Sequence, residues 1–368
     1  MLRQTVTSLI VVLIFCLPSY AFHDKGVAGC RGCHIMHNSE DGIPVDPDSP
    51  SGNEWLLIAE TPSDVCLSCH ATELGAVFGQ DPLSPPATKG AGNFVFLMEN
   101  NLNDAVDGAI NPINGDAAGH NINAPSMGIS ADGTRLVSPG GTFPSDQLGC
   151  TSCHDPHGNQ NFRFLYGIGP VASGGATFTN PAPVATGISV EAEFGPESNE
   201  HHTAYQSGMS AWCGNCHGDF HSAGAPFVHP TDGYMHQSVI QRYNFYNGTD
   251  DPNGGVAATA YLALVPFEDV AGTVSSTAGP SSAGGIMCLT CHRAHGSSAP
   301  NATRWDMNVV FMSDDGVVSG SYPIPDPFSS PTQRSLCSKC HTQHPERPQT
   351  CVSCHVNQPT STIPSTTN

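Results

Sequence analysis

The chain has 368 residues, with 32 acidic against 12 basic side chains and a formal net charge of −20. Charged residues make up only 12% and apolar residues 38%, while Gly (39) and Pro (31) are abundant; so little charge argues against a charge-rich disordered chain, and the acidic balance excludes nucleic acid and anionic lipid as natural partners. Fifteen cysteines point to something other than side-chain burial as what holds the chain together.

In chain order, Met1 to Ala21 reads as an export signal. Arg3 precedes an apolar run from about Val6 to Leu17, and Pro18-Ser19-Tyr20-Ala21 offers a small-x-small cleavage site before Phe22. The run is too short to span a bilayer, and no later stretch is apolar enough to do so. Cys16 leaves with the signal. Residues 22–368 are read as one exported domain.

Every remaining cysteine lies in a Cys-x-x-Cys-His motif. The seven copies are Cys30-Cys33-His34, Cys66-Cys69-His70, Cys150-Cys153-His154, Cys213-Cys216-His217, Cys288-Cys291-His292, Cys337-Cys340-His341 and Cys351-Cys354-His355. This spacing is the attachment signature of c-type haem: two thiols bond the vinyl groups on one edge of the porphyrin, and the next residue places its imidazole under the iron. Zinc sites need two separated ligand pairs and no His directly after each second Cys. The expectation is therefore seven covalent haem c groups, with His34, His70, His154, His217, His292, His341 and His355 as proximal ligands.

The other histidines are candidates for the opposite axial position. His37, His157, His295 and His344 each follow a motif histidine by three residues, and His221 follows His217 by four. A proximal histidine is pinned to its own iron, so its plus-three neighbour can reach only the far side of another haem and would clamp two haems together. His120, His229 and His23 complete the set of candidate distal ligands; His201, His202 and His236 are left over. With both axial positions filled, no iron is open to small molecules and the chain of haems passes electrons.

First cysteines of successive motifs are 36, 84, 63, 75, 49 and 14 residues apart, which excludes a simple repeat array. The connecting segments are rich in turn formers, as in Asp46-Pro47-Asp48-Ser49-Pro50-Ser51-Gly52 and Ser138-Pro139-Gly140-Gly141. The fold class expected is a mostly irregular multihaem cytochrome c with few short helices and minimal strand, its haems serving as the core. Helices are expected at Glu54 to Ile58, Ala204 to Cys216 and Tyr234 to Tyr246, with single turns at the motifs. Strands are expected at Phe94 to Leu97 and Val309 to Met312, and a frayed tail from Asn357 to Asn368.

The stretches Phe22-His23, Met36-His37-Asn38-Ser39, Gly119-His120-Asn121, Cys153-His154-Asp155-Pro156-His157, Trp212-Cys213, His229-Pro230, Pro266-Phe267-Glu268 and Cys291-His292-Arg293-Ala294-His295 together resemble the OmcS-like outer-membrane hexahaem cytochromes of metal-reducing bacteria, over residues 22–341. The resemblance implies bis-histidine haems in a continuous chain of alternating parallel-stacked and T-shaped pairs, sparse secondary structure, and polymerisation into extracellular conducting filaments. It also implies that His37 ligates a haem of the adjacent subunit. Residues 342–368, with the seventh motif, depart from that pattern.

The function expected is extracellular long-range electron transfer through a polymerised, non-enzymatic conduit. It would take electrons from outer-membrane donors and pass them to acceptors such as metal oxides or partner cells. The alternative is a soluble periplasmic or cell-surface shuttle with the same haems and no polymer. An oxyanion reductase would need a five-coordinate iron in a basic pocket, which so few Lys and Arg scarcely supply.

Overall fold

Backbone polar groups must be paired somewhere, and in a chain so rich in Gly and Pro they are paired in turns. The computed structural model describes residues 30–71, 77–79, 90–98, 102–103, 112–113, 115–188, 197–221, 231, 233–246, 255–305 and 336–341. The signal segment, the seventh motif, the Val309 to Met312 strand, the C-terminal tail, His23, His229 and His344 all lie outside the described residues.

Most of the described chain is irregular. Its helices are α1 (Pro62–His70), α2 (Cys150–Cys153), α3 (Met209–Cys213), α4 (Gly218–His221), α5 (Gln237–Phe245) and α6 (Cys288–Cys291). None of the described helices is long and apolar enough to cross a membrane. Three two-residue hairpins, β1 (Ser39–Glu40) with β2 (Ile43–Pro44), β3 (Leu102–Asn103) with β4 (Pro112–Ile113) and β5 (Gly169–Pro170) with β6 (Thr177–Phe178), stand apart from one four-stranded sheet. That sheet has the order β10 (Gly284–Gly285), β9 (Glu268–Asp269), β8 (Ala204–Ser207), β7 (Val184–Thr186). Its β7–β8 and β9–β10 pairs are antiparallel, while β8 and β9 run parallel through Tyr205 and Glu268.

Local chemistry explains the departures from the sequence reading. Ala204 to Cys216 is not one helix: β8 runs into Gly208 at φ +82°, and only then does α3 begin. A left-handed residue cannot continue a right-handed helix, and glycine adopts that conformation without a Cβ penalty. Phe94 to Leu97 is not a strand but part of a 3-10 turn over Phe94–Met98. The Asn93 side-chain oxygen there accepts from the Val95 and Gly79 backbone N–H groups at 3.0 Å each, so a side-chain-initiated turn outweighs β propensity. Glu54 to Ile58 is a kinked turn with Trp55 at φ +58°. Tyr234 to Tyr246 shortens to α5, whose first turn is capped by the His236 ring accepting from Ser238 N–H at 3.3 Å.

The second motif lies on α1 because Thr61-Pro62-Ser63-Asp64 is a complete helix start. Thr61 Oγ1 accepts from Asp64 N–H at 3.1 Å and Pro62 fills the first turn. Among the described residues, buried apolar side chains form four small clusters instead of the single core usual for a domain. Leu67, Phe78, Phe94, Ile122 and Ile129 pack against Cys150; Tyr243, Leu262, Val265, Trp305 and Leu336 against Cys291, Cys337 and Cys340; Tyr205, Met209 and Met287 against Cys213. The fourth cluster is Val95, Phe96 and Ala118. Three of the four thus end on motif cysteines, the edges at which porphyrins would attach.

Candidate haem sites

Each of the motifs at Cys30, Cys150, Cys213, Cys288 and Cys337 closes a single turn in which the motif histidine's N–H donates to the first cysteine's carbonyl, at 2.8, 2.9, 3.0, 3.1 and 3.0 Å. Both sulfurs thereby sit on one edge of the turn, with the imidazole directly after them.

Three motifs share a larger unit. His34 Nδ1–H donates to Trp55 O at 2.8 Å, His154 to Arg163 O at 2.8 Å and His292 to Asn301 O at 3.0 Å. Each accepting carbonyl belongs to the first of two consecutive left-handed residues: Trp55 and Leu56 at φ 58° and 57°, Arg163 and Phe164 at 52° and 56°, Asn301 and Ala302 at 57° and 55°. The chain after each corner then pairs back on the motif, through His34 with Leu57, His154 with Leu165 and His292 with Thr303. None of the six corner residues is glycine, so each costs on the order of 1 kcal/mol, and the surrounding ladder has to hold it. In the first such unit Ile35 N–H donates to Leu56 O at 2.7 Å and Ile58 N–H to Cys33 O at 3.0 Å; the other two repeat both bonds.

The corner fixes the imidazole. With Nδ1–H committed to a carbonyl, Nε2 is left as the lone-pair nitrogen, the form that binds a metal. His217 gains the same from Pro139 O at 2.7 Å and His120 from Ala294 O at 2.6 Å. Burial also pushes His154, His217 and His292 below the usual imidazole range, and His295 down to about 3. All four are therefore kept neutral.

Motif histidines meet the candidate distal histidines in three pairs. The rings of His34 and His157 have centroids 6.4 Å apart and are nearly parallel, at 2°. His120 and His217 lie 6.0 Å apart at 44°, and His154 and His295 6.4 Å apart at 64°. Two metal–nitrogen bonds of about 2 Å, plus about 1 Å from nitrogen to centroid in each ring, give about 6 Å. These separations fit one iron between each pair. Two neutral imidazoles facing one another are the donor set that a metal held in a porphyrin takes at its axial positions.

Neither His157 nor His295 therefore pairs its ring with the histidine of the motif beside it. His157 faces His34 of the first motif, and His295 faces His154 of the third. Positioning is through the backbone: His120 N–H donates to His295 O at 3.0 Å and His295 N–H to Ala91 O at 2.8 Å. Gly119 permits this approach, since a Cβ there would stand 2.1 Å from His295 O. His37 is exposed beside the β1–β2 hairpin. His221 ends α4 and packs against Gly214 of its own motif. Of the residues set aside, His202 is buried between Tyr261 OH at 3.1 Å and Ser276 O at 2.9 Å, and His236 caps α5.

The thiols show how the motifs follow one another. Cys66 donates to the Cys150 sulfur and Cys213 to that of Cys288, which raises the pKa of each donor thiol. The Cys33 thiol is raised by burial and by neighbouring Cys69, and Cys153 is pushed up to about 12 by burial and by Cys216. Cys340 is pushed up to about 12 by burial, with Cys337 adding, and Cys291 is raised by burial with Cys337 and Cys340 beside it. Motifs one to six thus neighbour each other in chain order. Second cysteines lie near each other between motifs one and two and between three and four, and first cysteines meet between two and three and between four and five. Cys291 of the fifth has both cysteines of the sixth beside it. The first-cysteine junctions repeat a further detail: Cys150 N–H donates to Ser63 Oγ at 3.2 Å and Cys288 N–H to Ser210 Oγ at 3.0 Å, both serines lying three residues before a motif.

No family model matches the chain. Against curated proteins, it is 30% identical over 418 residues to C-type cytochrome OmcS of Geobacter sulfurreducens, covering 88% of this chain and 95% of that protein. Two solved structures are similar along their whole length and over 88% of this chain. They are cryo-EM of the OmcS nanowires from Geobacter sulfurreducens, at TM-score 0.73 and 28% identity, and the Outer Membrane Cytochrome S filament from the same organism, at 0.72 and 29%. With its repeated Cys-x-x-Cys-His turns and its loop-built fold, the chain belongs to the OmcS family of c-type cytochromes, proteins that carry covalently attached haem.

Proposed function

We propose that this chain is the subunit of an extracellular electron-conducting filament. It would carry seven haem c groups, six of them in a line set by the order of the motifs. His34 and His157, His154 and His295, and His217 and His120 would be the axial pairs of the haems on the first, third and fourth motifs, and the cysteines of all seven motifs the attachment points. A haem supplies a reversible Fe(III)/Fe(II) couple. The chain's residues hold the rings close, keep both axial nitrogens in place and leave no open coordination site.

The observation that carries the filament is the register of the histidine pairs. A corner motif receives the plus-three histidine of the next corner motif: the first from the third (His157), the third from the fifth (His295). Among the described residues no further corner follows the one at His292 of the fifth motif, while His37 of the first is exposed. If the register continues from one subunit to the next, His37 of a second copy stands opposite His292. Head-to-tail repetition of that contact is open-ended and generates a fibre. The relatives being filaments supports the same reading, and so does an acidic surface suited to oxide or cationic acceptors. The export signal and an outer-surface location belong to the proposal.

Cryo-EM of the haem-loaded protein, with a His37→Ala variant beside it, tests the proposal. The wild type is expected to form filaments with His37 on the neighbouring subunit's fifth haem. The variant is expected to remain short or monomeric and to gain one high-spin haem per chain. Variant filaments of unchanged length and fully low-spin spectrum would sink the His37 junction. Monomers of the wild type at all concentrations would leave a soluble shuttle.

A further inference from the structure

Two motifs place a basic residue between their cysteines, and the structure treats the two in opposite ways. Arg31 of the first is exposed and pairs with Glu40 at 2.8 Å. Lys339 of the sixth, in Cys337-Ser338-Lys339-Cys340, is 0% exposed. Its Nζ donates to Tyr243 O at 2.7 Å and to Ala260 O, and a third acceptor, Tyr246 O, stands at 3.5 Å. The same nitrogen lies 3.9 Å from the centroid of the Tyr243 ring and 5.9 Å from that of Tyr246.

The cage around this nitrogen is held by contacts of its own. Tyr243 lies in the last turn of α5 and Tyr246 caps it, so both carbonyls belong to a helix end, where the amide dipoles favour a cation. Ala260 ends the 3-10 turn Ala257–Thr259. The Tyr243 hydroxyl accepts from Leu262 N–H at 3.2 Å and stands 3.2 Å from Leu262 O and from Val265 O, which fixes the ring. Tyr243, Tyr246 and Ala260 are all buried. Three carbonyls match the three N–H donors of an ammonium, and the negative faces of the two rings add to them. Burial pushes the Lys339 pKa down, to about 7; the carbonyls and ring faces favour the charged form against that cost.

Lys339 and Cys340 bear on each other, so the nitrogen stands near the edge at which a porphyrin would bond. Its stem also ties the attachment turn to α5, nearly a hundred residues earlier in the chain. We infer that Lys339 is a positioning residue of the sixth motif: its ammonium pins the attachment turn to the end of α5 and raises the reduction potential of the haem bound there. The inference rests on the haem reading above, though not on the filament. A fixed cation beside a porphyrin favours the reduced, less positive state, so its removal lowers the potential.

The test uses the haem-loaded protein in two measurements. In the wild-type cryo-EM map, Lys339 Nζ is expected within hydrogen-bond distance of Tyr243 O and Ala260 O. Density that leads the side chain to solvent or to a propionate overturns the assignment. In spectroelectrochemical titration, Lys339→Met is expected to shift one haem's midpoint to lower potential, with Lys339→Arg, which keeps the charge, closer to wild type. Lys339→Gln takes the place of Lys339→Met if the latter does not fold. A folded neutral variant with an unchanged titration overturns the inference. So does a Lys339→Arg shifted as far as the neutral variant, because lost packing alone would not rank the variants by charge. Pyridine haemochrome analysis keeps the two readings apart. A wild type without covalent haem refutes the haem reading, whereas a haem-loaded wild type and an unmoved midpoint refute the role of Lys339 alone.

Discussion

Six non-glycine residues in the left-handed region lie in three equivalent corners, and this recurrence gives their strain a role. The corner turns a carbonyl toward the motif imidazole, and only the backbone's reversal at two successive residues brings it there. Ala302 is the simplest place to test this, because its side chain is a single methyl at φ +55°. A β-branched residue tolerates that conformation worst, so Ala302→Val is expected to cost about 1–2 kcal/mol and to loosen the His292 hydrogen bond. Chemical denaturation followed at the haem absorbance measures it. An unchanged midpoint would show that the corner is not strained. At this scale the motif cysteines and histidines are legible in the sequence because they are local. The corners are not: Trp55, Arg163 and Asn301 share no residue type, and what they share is a backbone shape imposed by a motif 9 or 21 residues earlier.

Between elements, the decisive contacts are backbone on backbone. The segments around Gly92, Gly119 and Gly296 pair with each other, Gly296 bridging to both of the others, and this places His120 and His295 side by side while their rings face different motifs. Gly119→Ala would force a methyl onto His295 O. The expected cost is about 1–3 kcal/mol, with both the His120/His217 and the His154/His295 haems perturbed. Thermal unfolding and the low-spin spectrum report it, and a variant indistinguishable from wild type would count against the junction's role. Sequence reading finds His120 and His295 as candidates but cannot pair them with His217 and His154, which lie 97 and 141 residues away. It also puts helix across Gly208 and strand across Phe94, because a left-handed residue and an asparagine side chain outweigh the propensities of their neighbours.

At the scale of the whole molecule, the four small clusters divide the interior among the motifs. Removing one attachment, as in Cys66→Ala with Cys69→Ala, is expected to expose Leu67, Phe94 and Ile129 first. Hydrogen exchange should quicken there while the Tyr243 and Trp305 cluster keeps its protection. Uniform loss of protection would mean that the clusters stand or fall together. The irregular, few-helix architecture is legible from composition and motif count, since so few apolar residues spread over so many loops cannot build a conventional core. Nothing in composition foretells the four-stranded sheet, whose strands come from Val184 to Gly285 and pair across long loops.

Clusters that end on motif cysteines also dictate an order of manufacture. In the proposed haem-loaded subunit a porphyrin would cover each of them at its cysteine edge, so before attachment the nascent polypeptide would have less apolar surface to bury and less reason to collapse. That looseness is useful, because the enzymes that attach the cofactor need access to both thiols of every turn. Each completed attachment would then stabilise its own stretch of chain, so that a chain missing a cofactor would stay locally open and more susceptible to proteolysis.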